Sequence, residues 1–172
     1  MDYFKEFVIP FKGLKPGGHN FEFEITKKFF DHFDYSELET GEIGVDLELI
    51  REENMLTLVF DISGFAKVQC DRCGDFFRQE ITNHKTLYIK FGPEAFEESD
   101  EIIVISEKEY EIDVSQYIYE FIHLSLPYRK IHPRDENGNE QCNPEVLKKI
   151  EEYKKESSTD PRWDALKKLK KD

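Results

Sequence analysis

The chain is poor in cysteine, with three among 172 residues. So low and odd a count excludes a disulfide framework and suits a reducing compartment. Long apolar runs are missing too. No stretch approaches the ~20 apolar residues that span a bilayer, and residues 1–6 lack the basic-then-apolar layout of a secretory signal. The chain is therefore expected to be cytoplasmic, with no membrane partner. Catalytic signatures are absent as well: there is no His-Glu-x-x-His pair, no glycine-rich phosphate loop and no Gly-x-Ser-x-Gly elbow. These absences argue against an enzyme and imply no small-molecule substrate. Positive charge is scarce. Net charge is −13, yet from Gln141 onward nine Lys and Arg face seven Asp and Glu, a balance of +2. The first 140 residues thus carry −15. Such a body repels a phosphate backbone over most of its surface. Basic proteins, or RNA met through a small local surface, are the partners it allows.

Aromatic side chains are plentiful. Fifteen phenylalanines within a 38% hydrophobic composition are enough for a sizeable core. Length and composition fit one α+β domain over residues 1–155, followed by a linker and a C-terminal amphipathic helix over residues 156–172.

The clearest chemical signal is Cys70-Asp71-Arg72-Cys73-Gly74. Two residues between cysteines place both sulfurs on one side of a turn, where they can share a metal. Zinc prefers four tetrahedral sulfur and nitrogen ligands. His132 and Cys142, in the polar loop of residues 131–142, can supply the other two. Such a site is structural, because four protein ligands leave no open position for catalysis. Two other readings stay open at this point. A dithiol redox pair normally begins a helix beside a βαβ unit, whereas the flanks 65–69 and 75–81 read as strands. Two ordinary reduced cysteines in a turn are the plainer alternative.

Along the chain, residues 3–11 alternate loosely, as in a first strand. Phe21, Phe23 and Ile25 alternate strictly, with His19 in the loop before them. Thr26 precedes a short helical stretch through residue 33. Residues 44–51 and 55–62 form a hairpin around 52–54, and Ser63-Gly64 is expected to turn into the strand that delivers Cys70. Residues 76–81 and 85–91 return from the knuckle. Residues 94–101 read as an acidic loop, and residues 102–105 as a buried strand. Asp113 is expected to cap a helix over 114–126 that buries Val114, Tyr117, Ile118, Phe121, Ile122 and Leu124 and stops at Pro127. Asn143 caps a helix over 144–155 with Pro144 in its first turn. A last segment places Trp163, Leu166 and Leu169 on one face among Lys167, Lys168, Lys170 and Lys171. The architecture expected is a mostly antiparallel, barrel-like or strongly curved sheet, then a packed helix and two C-terminal helices.

The order of these parts resembles the YceD family of large ribosomal RNA subunit accumulation proteins. The resemblance rests on Cys70-Asp71-Arg72-Cys73, close to the family's Cys-x-Arg-Cys, and on the helix after Asp113, which closes on Leu124-Ser125-Leu126-Pro127. It continues with the ligand-type pair His132 and Cys142, and with Pro161-Arg162-Trp163-Asp164-Ala165-Leu166, similar to the family's Pro-aromatic-x-x-Leu ending. Residues 1–64 take no part in it. The resemblance implies a cytoplasmic accessory factor for the synthesis, processing or stability of large-subunit ribosomal RNA. Its partners would be an assembly factor, a ribosomal protein or precursor RNA, met in part through Trp163, Leu166, Leu169, Lys167 and Lys168. It implies no catalytic reaction. The alternative is a zinc-stabilised cytosolic module that binds a protein unrelated to ribosomes.

Overall fold

A computed structural model describes residues 3–93, 96–99 and 101–156. The chain divides into two compact units, one of residues 1–68 and 78–130 and the other of residues 69–77 and 131–172. The boundary expected at residues 155/156 falls at the end of the described chain.

The larger unit is built on strict alternation. Strand β2 (Gly17–Ile25) pairs antiparallel with β3 (Gly41–Arg51), and β3 with β4 (Met55–Gln69). The register sets Phe23 opposite Val45, Val45 opposite Ile62, Leu47 opposite Phe60 and Leu49 opposite Leu58. All of these side chains are buried. A slip by one residue would move the whole set to the other face, so this pattern fixes the register. Ser63-Gly64 does not turn the chain as expected; β4 runs straight through it. Gly64 has φ +149°, and a Cβ there would stand 2.2 Å from the Glu42 carbonyl oxygen and 2.6 Å from the Ile43 Cα. The close approach of two backbones, and not a turn, is what needs glycine.

Strand β5 (Phe76–Gly92) lies next to β4, and the sheet ends in β7 (Ile102–Ser106) and β6 (Phe96–Ser99) in the order β2-β3-β4-β5-β7-β6. β7 runs parallel to β5 and antiparallel to β6. The α+β class holds, but the sheet is open and does not close into a barrel. Its two ends are the nine residues of β2 and the four of β6, which do not pair. β6 also lies within the stretch expected to be an acidic loop. Acidic composition marked a solvated segment there, and backbone pairing to β7 overrides it.

The N-terminus differs from the expected strand. Residues Tyr3–Phe7 and Phe11–Gly13 are 3-10 turns, and only β1 (Val8–Ile9) is extended, paired with β8 (Ile112–Asp113). Phe4, Phe7 and Phe11 recur every three or four residues, a turn spacing. Pro10 has no N–H for a ladder. Phe7 stacks on Phe23 at 5.1 Å, and Phe4 lies over His32 at 3.7 Å, so His32 serves packing. His19 belongs to β2 itself and contacts the Lys15 carbonyl at 2.8 Å.

Helix α1 is only Lys27–Phe30, and Thr26 makes no side-chain cap. Helix α2 (Ser115–Leu124) starts where the Asp113 carboxylate accepts a hydrogen bond from the Ser115 N–H at 2.8 Å. Ile118, Phe121 and Ile122 are buried as expected, with Phe121 edge-on to Phe60 of β4 at 5.2 Å. The Asn83 side chain of β5 also donates to the Phe121 carbonyl at 2.8 Å. Leu124, expected inside, is 70% exposed. Tyr119 takes up the core position instead, stacked on Phe33 at 4.1 Å. At about 100° per residue Leu124 falls about 120° round the helix from Ile118, beside half-buried Tyr117 and off the face that meets the sheet.

The smaller unit contains the knuckle, the loop after residue 130 and helix α3 (Pro144–Glu156). The Asn143 side-chain oxygen accepts from the Glu145 N–H at 3.1 Å, the N-terminal cap that the sequence suggests. No helix among the described residues is long and apolar enough to cross a membrane.

Candidate metal centre

The knuckle is a hydrogen-bonded turn. The Gly74 N–H donates to the Cys70 carbonyl and the Cys70 N–H to the Asp75 carbonyl, both at 2.9 Å. Gly74 turns the chain with φ +80°, a conformation that suits glycine, and the Gln69 side chain caps its carbonyl at 2.8 Å. The effect is to hold Cys70 and Cys73 on one side.

The loop that brings the other two candidates is equally ordered. Its long polar spacer is folded around Asp135. The Asp135 carboxylate accepts from the N–H groups of Asn137 and Asn139 at 2.9 and 2.7 Å and from the Asn139 side chain at 2.9 Å. The Asn139 contacts hold this carboxyl below the usual range. Arg134 and Glu140 then form an antiparallel bridge. His132 and Cys142 are therefore brought together across ten residues of sequence.

All four predicted ligands meet. One ligand atom from each of Cys70, Cys73, His132 and Cys142 lies within 4.8 Å of every other. The Cys70 and Cys142 sulfurs are 3.8 Å apart, Cys73 Sγ is 3.5 Å from His132 Nδ1, and Cys142 Sγ is 3.8 Å from the same nitrogen. Metal–sulfur bonds of about 2.3 Å and metal–nitrogen bonds of about 2.05 Å at tetrahedral angles give edges of about 3.8 and 3.6 Å. These three edges match and the remaining separations stay within 4.8 Å, so the four residues could hold a metal ion. None of the three thiols is in a disulfide. Phe77, Ile131, Val146 and Leu147 pack around the sulfurs, and the Phe77 ring lies 4.7 Å from that of His132.

The thiols are not equivalent. Burial pushes Cys70 up, but backbone N–H donors from Cys73, Arg72 and His132 outweigh it and bring the thiol down to about 6. Burial pushes Cys142 up to about 11, and the neighbouring Cys70 and Cys73 add to the rise. Cys70 is thus a ready thiolate at neutral pH, whereas Cys142 keeps its proton until a cation displaces it.

Sequence reasoning missed the polar residues that fasten this centre. Asp75 accepts from the Asn143 side chain at 3.2 Å, and Arg72 pairs with Glu140 at 2.8 Å. Arg72 belongs to the Cys-x-Arg-Cys resemblance and Asn143 is expected as a helix cap, but for this fastening role the sequence signal is adjacency, since each stands within two residues of a candidate ligand. The expected partner-binding residues Trp163, Leu166, Leu169, Lys167 and Lys168 lie outside the described residues.

Fold and site together define a small α+β protein with three buried cysteines and a half-buried histidine that could take a metal ion. Residues 58–170, about two thirds of the chain, match the family model described as large ribosomal RNA subunit accumulation protein YceD. The chain belongs to the YceD family. No curated protein and no solved structure gives a significant match to it.

Proposed function

We propose that this chain is a non-enzymatic accessory factor for the synthesis, processing or stability of large-subunit ribosomal RNA, acting in the cytoplasm by binding. Zn(II) held by Cys70, Cys73, His132 and Cys142 serves it as a structural element. The observation that supports the zinc reading most is the donor set: three sulfurs and one imidazole within 4.8 Å of one another, three of their separations at tetrahedral edge length, which would use every position of the ion. A closed shell leaves no site for an activated water, so the metal's contribution is folding energy and not catalysis. The ribosomal reading is supported by the name of the family. Partners of matching chemistry are a basic ribosomal protein, an assembly factor, or precursor RNA reached through Lys167 and Lys168 beside the Trp163, Leu166 and Leu169 stripe.

Affinity capture of the full chain, with RNA sequencing and mass spectrometry of what accompanies it, tests this function. Enrichment of large-subunit precursor RNA and its proteins is the expected result. Capture of cytosolic proteins with no ribosomal component would return the chain to a zinc-stabilised protein-binding module.

A further inference from the structure

The outer contacts of the metal centre follow a pattern. Arg72 lies inside the knuckle next to Cys73, and its guanidinium meets the Glu140 carboxylate at 2.8 Å. Glu140 lies two residues before Cys142. Its other oxygen is 3.7 Å from the guanidinium of Arg134, which stands two residues after His132. One carboxylate therefore joins three short segments, each of which carries a ligand. The Cys142 thiol is also an electrostatic neighbour of the Arg72 guanidinium, so Arg72 acts on a candidate ligand supplied by a segment other than its own.

The charges give this arrangement a purpose. Three thiolates and a neutral imidazole around a divalent cation leave one surplus negative charge. Two guanidiniums held by one carboxylate carry one surplus positive charge, and Arg72 brings its share inside the knuckle beside Cys73. Outer groups that hydrogen-bond to ligands orient them and tune their donor strength, and a planar guanidinium can serve a carboxylate and a sulfur together in a way an ammonium cannot. We propose that Arg72, fixed by Glu140, is the positioning residue of the metal centre: it fastens the Cys142 segment to the knuckle and offsets the excess thiolate charge. This rests on the metal reading above.

The test uses the full chain and Zn(II) or Co(II). Zinc affinity is measured by competition with a chromophoric chelator for wild type, Arg72→Gln, Glu140→Gln, the double variant and Arg72→Lys. Roughly 10- to 100-fold weaker binding is expected for Arg72→Gln. A smaller loss is expected for Glu140→Gln, and the double variant should be no weaker than Arg72→Gln alone, because both act through one group. Arg72→Lys keeps the charge and should recover part of the loss. With Co(II), the sulfur-to-metal charge-transfer band should move to lower energy in Arg72→Gln, since a thiolate that loses a neighbouring cation gives up electrons more easily. A purely structural role would not shift that band. Wild type that takes up neither metal overturns the metal reading and this inference with it. Wild type that binds, with Arg72→Gln within twofold of it and the band unmoved, overturns this inference alone.

Discussion

Gly64→Ala is the sharpest test of the sheet. Gly64 sits inside β4 opposite Ile43, and its φ of +149° is open to glycine but strained for any L side chain. Strain of that kind costs about 1–3 kcal/mol. The added Cβ would also stand 2.2 Å from the Glu42 carbonyl oxygen and 2.6 Å from the Ile43 Cα. Both are backbone atoms, so no side chain can swing aside and β3 must move away from β4. Weakening one or two ladder hydrogen bonds adds roughly 1 kcal/mol for each. The sum is about 2–5 kcal/mol, which in a chain of this size lowers Tm by roughly 4–20 °C at about 2–4 °C per kcal/mol. Urea denaturation followed by far-ultraviolet circular dichroism measures it, with Gly13→Ala as the control. Nothing lies within 4 Å of a Cβ at Gly13, so that change should stay within about 0.5 kcal/mol. A Gly64→Ala loss below 1 kcal/mol, with the control unchanged, would refute the reasoning.

Three further outcomes are expected. Phe121→Ala should cost roughly 3–5 kcal/mol as a core truncation, since the ring is buried and edge-on to Phe60; a loss within error in chemical denaturation would remove this face from the core. Zinc affinity should fall as pH falls. Cys142, pushed up to about 11, must lose a proton on binding at any pH below that, so affinity changes about tenfold per pH unit for this proton alone. Below about 6 Cys70 is protonated too and the fall steepens; chelator competition at pH 5.5, 6.5 and 7.5 checks it, and a flat profile would contradict it. Deletion of residues 161–172 should leave Tm unchanged and reduce co-sedimentation with ribosomal precursors, whereas a large fall in Tm would place that segment in the core.

The parts of this fold that could be read from sequence are those in which periodicity and environment agree. Along β3 and β4 the alternate apolar positions Ile43, Val45, Leu47 and Leu49, and Leu56, Leu58, Phe60 and Ile62, are all inside, with Val59 half-buried on the other face. Reading failed where a local cue had two physical meanings. Glycine at 64 signals a turn or a close backbone approach, and only the register with β3 shows which. Acidic residues at 97 and 98 signal solvent, but an edge strand also tolerates charge. Leu124 continues an apolar helical spacing, yet the buried face is centred on Ile118 and Ile122 and extends to Tyr119 on the other side, which leaves Leu124 outside. At the site, the grouping of Cys70, Cys73, His132 and Cys142 could be anticipated because a Cys-x-x-Cys turn has few uses and ligand-type residues follow it at 132 and 142. The pairing of Arg72 with Glu140, and of Glu140 with Arg134, could not. In an acidic, highly charged chain, single charges read as solvated surface until the fold brings 72 beside 140.

The central claim is that three sulfurs and one imidazole close around a single zinc ion. X-ray absorption at the zinc edge on the full chain, loaded with one equivalent under reducing conditions, tests it most directly. The account predicts three sulfur scatterers at about 2.3 Å and one nitrogen at about 2.0–2.1 Å, with a sulfur lost in Cys142→Ser and the imidazole signature lost in His132→Ala. A shell dominated by oxygen or nitrogen, or one unchanged by either substitution, would contradict it.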